Sequence, residues 1–109
     1  MPNKIFSNQR QPNLIVAPTQ SNNYTILSTD KGALIPFNTN ISSLNLNLTD
    51  SVEDGFNFTV FNSGSNAVNV VPGSSAYVSR GTSLVNVDST ASFIYDEPNN
   101  TWYGIGDLS

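Results

Sequence analysis

From Tyr24 onward, apolar and polar residues alternate with a period of two. The clearest run is Leu44-Asn45-Leu46-Asn47-Leu48. In a strand, successive side chains point to opposite faces. Leu44, Leu46 and Leu48 therefore belong to a core, and Asn45 and Asn47 face outward. Phe56-Asn57-Phe58-Thr59-Val60 repeats the pattern with Phe56, Phe58 and Val60 on one face. Ser63-Gly64-Ser65-Asn66 reads as a hairpin loop, and in its partner run, 67–71, Val68 and Val70 share one face. Shorter runs extend the series. Strands are predicted over 14–17, 24–27, 33–37, 44–48, 56–60, 67–71, 76–78, 84–87, 91–95 and 101–105. Between them lie turn signals, among them Asp30-Lys31-Gly32, Pro72-Gly73-Ser74-Ser75 and Asp96-Glu97-Pro98-Asn99-Asn100. Trp102 and Tyr103 are neighbours on the last strand, so one faces the core and the other the surface.

No segment carries a helical period over three turns. Many short strands with turns between them predict an all-β domain, an antiparallel β-sandwich or small barrel of about 8–10 strands. Antiparallel pairing is expected because the connections are too short for parallel crossovers. Pro36 lacks a donor and points to an edge position for its strand. No internal repeat stands out beyond the strand–turn rhythm.

The domain organisation is an N-terminal arm over 1–22 and a β-sandwich or barrel domain over 23–109. The arm is polar except for Ile5, Phe6 and the short run Leu14-Ile15-Val16-Ala17, which Pro12 and Pro18 bracket. Two readings of it stay open: a frayed terminus, or an extended segment that adds to a neighbouring subunit. In the second, Ile5, Phe6, Leu14, Ile15 and Val16 are the interaction residues.

Composition narrows the chemistry. The 109 residues include no Cys and no His, which excludes disulfides, thiolate or imidazole metal sites and every nucleophile–His pair. Charged residues make up only 11% and the formal net charge is −4, so no basic groove for nucleic acid is expected. Residues 1–10 carry no apolar core of a secretory signal, and no apolar run is long enough for a membrane span. Asp50, Glu53 and Asp54 fall close together and offer oxygen ligands for calcium, but a solvated turn built on Asx hydrogen bonds explains them as well. Paired-carboxylate hydrolysis needs two acids held across a groove, whereas all eight acids here lie at turns or strand ends. The expectation is a non-enzymatic protein with no catalytic residues, metal or cofactor.

The order of segments from Tyr24 to Ser109 resembles a small β-rich module of tailed-bacteriophage virion proteins, often found at the end of tail-fibre or appendage proteins. The matching pieces are Tyr24-Thr25-Ile26-Leu27, the turn ending at Gly32, Leu44 to Leu48, Gly55 to Val60, and Val68-Asn69-Val70-Val71-Pro72. The end is the most recognisable: Ala91 to Tyr95, Asn100-Thr101-Trp102 and Gly106-Asp107-Leu108. The resemblance implies structure and assembly rather than catalysis. The module commonly closes a longer protein; a chain that opens at Met1 with a short arm looks like a head decoration (cement) protein. The partners then implied are the major capsid protein and further copies of the chain in a homotrimer, on the capsid surface of a virion. The alternative is a tail-fibre or receptor-binding module contacting host glycans, with Tyr77, Trp102 or Tyr103 exposed at one tip.

Overall fold

The computed structural model describes residues 15–79 and 84–109. It is all-β, with ten strands and two short 3₁₀ turns among those residues. The strands are β1 (Ile15–Val16), β2 (Tyr24–Thr25), β3 (Ala33–Asn38), β4 (Leu44–Asn47) and β5 (Asn57–Ser63), then β6 (Val68–Val71), β7 (Ala76–Ser79), β8 (Leu84–Val85), β9 (Ser89–Asp96) and β10 (Thr101–Gly106). Each predicted run carries one of them.

The pairing differs from the expectation. Up to β8 the chain alternates between two sheets. The six-stranded sheet has the order β1-β3-β5-β9-β10-β7, and the four-stranded sheet β2-β4-β6-β8. Five of the eight strand pairs are parallel, including β1 with β3, β3 with β5, β2 with β4 and β4 with β6. The first six strands thus wind as successive coils of a short β-solenoid, not as an antiparallel sandwich or barrel. The crossover that a parallel pair requires is present, but it is a strand of the facing sheet rather than a helix. Leu34 pairs with Thr59 and Leu44 with Val68, so this coil advances 25 residues in the first sheet and 24 in the second, whereas the coil before it advances 18 from Ile15 to Ala33 and 22 from Tyr24 to Leu46. After β6 the winding stops. β8 runs antiparallel to β6, and β9 runs antiparallel to both β5 and β10. This antiparallel part covers the far side of the last coil.

Pro36 corrects a second expectation. Its strand, β3, lies between β1 and β5 rather than at an edge. The proline is tolerated because β1 ends at Val16. Beyond that point the Pro36 carbonyl accepts from Gln20 N at 2.9 Å on the β1 side, and the pairing of Pro36 with Phe61 in β5 is kept.

The core lies between the sheets. Ile35, Phe37, Phe58, Val60, Phe93 and Trp102 from one sheet meet Leu44, Leu46, Val68, Val70 and Val85 from the other, all buried. The aromatic centre is compact. Phe58 stacks on Phe93 with centroids 5.2 Å apart, and Trp102 lies 5.8 Å from Phe58 and 5.1 Å from Tyr95. Trp102 takes the core side and Tyr103 the outside, as adjacent strand positions must. The turn after β9 depends on Asn100, whose φ of 47° is in the left-handed region that Asn accepts better than most residues. Its Oδ1 accepts from the Tyr95 hydroxyl at 2.6 Å and from Ser75 Oγ at 3.2 Å.

Candidate interaction surface

Of the predicted interaction residues, Ile5, Phe6 and Leu14 lie outside the described residues. Ile15 and Val16 form β1, the terminal strand of the six-stranded sheet, and both are exposed. Residues 15–20, assigned from sequence to the arm, are bound into that sheet: Ala17 N donates to Leu34 O, and Gln20 bridges Phe37. Among the described residues no strand pairs with the outer edge of β1.

β1 also ends a sheet face. Strand register sets its rows. One outward row reads Val16, Leu34, Thr59, Ser92 and Ile105 across β1, β3, β5, β9 and β10. The row beside it reads Asn57, Ile94, Tyr103 and Val78 across β5, β9, β10 and β7. On the other side Pro36, Phe61 and Thr90 align. None of these side chains is charged. Thr59 Oγ1 and Ser92 Oγ hydrogen-bond each other at 2.8 Å, so the two hydroxyls in the middle of the face already satisfy one another. The facing sheet presents a different outside. There Asn69 Nδ2 donates to Asn45 Oδ1, Asn45 N donates to Asn23 Oδ1, and Asn47 Nδ2 reaches Thr25 Oγ1 at 3.4 Å. One face of the molecule is therefore largely apolar and the other is an amide ladder.

The candidate acids serve separate structural roles. Asp50 accepts from Ser74 Oγ, Glu53 pairs with Lys31, and Asp54 Oδ1 accepts from Glu97 N. Among the described residues no three acids come together as a metal-binding group. Asp30 is buried. It accepts from the Tyr24 hydroxyl at 2.6 Å and from Leu27 N at 2.7 Å, closing the turn before β3. Burial first, then the hydrogen bond to Asp30 and its negative charge, push the Tyr24 hydroxyl up to about 12.

The chain end is a clasp. Asp107 accepts from Asn86 Nδ2 and from Ser89 Oγ, each at 2.6 Å, and these bonds hold its carboxyl below the usual carboxylate range. Gly106 precedes it with φ +125°, and a Cβ there would lie 2.7 Å from Thr90 O. The Gly106-Asp107-Leu108 ending thus has a role in folding: it ties β10 back onto the β8–β9 connection.

Reasoning from the sequence allowed Tyr103 a surface position but missed Ile94, Val78 and Ile105 as surface residues. A signal was present in Phe93-Ile94-Tyr95, an apolar run without alternation, which marks a strand apolar on both faces. Trp102 and Tyr77 do not form an exposed tip with Tyr103, because Trp102 is fully buried and Tyr77 packs over Gly104. No protein-family model matches the chain, and no curated protein matches it.

Proposed function

We propose that the chain is a non-enzymatic structural protein of a tailed-bacteriophage virion: a capsid decoration (cement) protein that binds the head surface and stabilises it through contacts between subunits. The observation that carries this reading is β1. It is a two-residue terminal strand with exposed apolar side chains, an open outer edge among the described residues, and the arm directly before it. Such an edge takes a further strand through its backbone groups. Ile5, Phe6, Leu14, Ile15 and Val16 are the contacts to the major capsid protein. A homotrimer on the capsid surface repeats each weak contact over a lattice, where many copies act together. The cysteine-free core suits this role, since its stability does not depend on redox state. The tail-fibre alternative calls for aromatics exposed at one tip, and the burial of Trp102 weighs against it.

The test is the copy number of the chain per particle of its source virus, measured by quantitative mass spectrometry against the major capsid protein. The reading expects a simple ratio to the capsid subunit. A handful of copies moves the protein to the tail, and absence from particles overturns the reading. Removal of residues 1–14, which spares every described strand, is expected to abolish binding to undecorated heads. Retained binding would overturn the attachment mechanism.

A further inference from the structure

The solenoid is open at its first coil on both sheets. β1 ends the six-stranded sheet and β2 the four-stranded one, and among the described residues no strand pairs with the outer edge of either. The core is open there too. Ile15 pairs with buried Ala33 and so faces inward, yet it is 48% exposed. Tyr24 pairs with buried Leu46 and also faces inward; its ring meets Phe37 edge-on at 6.3 Å and stays half-buried. A terminal coil cannot bury its own inner face, so the end of such a stack needs a cap. Spacing identifies one within the chain. β1 begins at Ile15, β2 at Tyr24 and β3 at Ala33, nine residues apart, and the loops 17–23 and 26–32 have seven residues each. One further step of nine back from Ile15 arrives at Phe6. Phe6 lies 18 positions before Tyr24, the advance that the Ile15–Ala33 pair shows. Residue type fits the position. Between residues 3 and 13, Ile5 and Phe6 are the only large apolar side chains. In this register Phe6 takes the inward parity of Tyr24 and Leu46, and Ser7 the outward parity of Thr25 and Asn47. Residues 8–14 are then a third loop of seven, with Pro12 in it as Pro18 is in 17–23.

We propose that Phe6-Ser7, which lies outside the described residues, docks in the free chain as a parallel strand on the outer edge of β2, with Phe6 covering the open end of the core beside Tyr24 and Ile15. Backbone groups along β2 supply the pairing, and the inward aromatic supplies the burial. The outer edge of β1 cannot take the same segment in parallel. Residues 1–14 reach back 14 positions from Ile15, short of the 18 that this coil uses. β1 therefore keeps its open edge, the feature on which the virion reading stands. Docking on β2 goes beyond that reading and does not depend on it. In the virion reading Ile5 and Phe6 contact the capsid, so they leave β2 on attachment, and the two uses of the segment exclude each other.

The experiment is a disulfide trap in the full-length chain, which has no cysteine of its own. Ser7→Cys/Thr25→Cys sets two thiols at opposed outward positions on neighbouring strands, within the separation that a disulfide spans. Ser7→Cys/Val16→Cys is the comparison. Thr25 and Val16 are both exposed, so either change spares the core. Val16 is the nearer to Ser7 in sequence, so an arm without a docking site closes the 7–16 loop faster. Docking reverses the order. With oxidised glutathione as oxidant, the 7–25 pair is expected to bridge within the chain about tenfold faster than the 7–16 pair, read by mass spectrometry without reduction. Phe6→Ser added to the 7–25 pair is expected to remove that advantage. In the otherwise unchanged chain, Phe6→Ser is expected to lower the melting temperature by about 4 °C or more. A 7–16 pair that bridges as fast as the 7–25 pair overturns the proposal, as does a melting temperature that Phe6→Ser leaves unchanged. A 7–25 bridge that joins two chains overturns it as well and assigns the β2 edge to a second copy. All these readouts use the free chain, so they stand apart from the particle copy number that tests the virion reading.

Discussion

Asn69 donates its side-chain amide to Asn45 Oδ1 at 3.1 Å, and the two residues sit directly opposite each other in the parallel β4–β6 pair. They are 24 positions apart in sequence and one coil apart in space. Asn45 N in turn donates to Asn23 Oδ1 at 2.8 Å, carrying the ladder into the preceding coil. The same residue type stacked at one coil height makes a bond that neither residue makes alone.

That bond predicts coupling between the two asparagines. In a double-mutant cycle, Asn45→Ala and Asn69→Ala are expected to cost less together than the sum of their separate costs, with an interaction of about 0.5–1 kcal/mol. Chemical unfolding of the four proteins measures it. Strict additivity would show the ladder to be energetically silent.

Asn62 should be the most sensitive polar position in the core. It is fully buried, and its Oδ1 accepts from the Thr39 hydroxyl at 2.8 Å. Its Nδ2 donates to the carbonyls of Asn66, Val85 and Asn86 at 2.8–3.2 Å, joining the six-stranded sheet to β8. Asn62→Ala strands these groups without partners and is expected to lower stability by about 2–4 kcal/mol, read from the urea midpoint. Thr39→Val keeps the shape and removes one hydroxyl, which donates to Asn62 Oδ1 and accepts from Asn66 N, and should cost less.

Gly104 is held by Tyr77. A methyl at Gly104 would lie 2.5 Å from the Tyr77 hydroxyl oxygen and 3.0 Å from Leu108 Cδ1. Gly104→Ala is expected to cost about 1–3 kcal/mol as overpacking. Tyr77→Phe removes the closest atom and should restore part of the loss in the double variant, visible as a recovered melting temperature. No recovery would place the strain elsewhere.

Stability should fall at both extremes of pH for different residues. The Tyr24 hydroxyl is raised in the folded state, so its contribution is complete below the ordinary tyrosine value of about 10. It is lost as pH rises from there to about 12. Burial also raises Tyr77 and Tyr95, so Tyr24→Phe should make the alkaline decline shallower without abolishing it. Asp107 is lowered, so its contribution is present above the ordinary carboxylate value and is lost as pH falls through its lowered one. Asp107→Asn should flatten the acid limb alone. Denaturant midpoints across a pH series check both signs.

Period-two alternation was enough to locate the strands and their inner faces. Leu44, Leu46, Leu48, Phe56, Phe58, Val60, Val68 and Val70 are buried where their parity placed them. That signal is local: whether a side chain points in or out depends only on its neighbours along the strand. Which strand lies beside which is not local. β3 and β5 pair in parallel because β4 crosses to the facing sheet between them, and nothing in 33–38 or 57–63 records that crossing. The coil repeat was hidden for the same reason. It matches burial and pairing from one coil to the next and asks little of residue identity, and the ladder of Asn23, Asn45 and Asn69 shows it most openly. The apolar outer face is a further step removed. Ile94, Tyr103 and Val78 come from three strands, and only the register of β9, β10 and β7 sets them in one row. Alternation along the chain determined the inside of this protein; the pairing of strands distant in sequence decided what its surface presents.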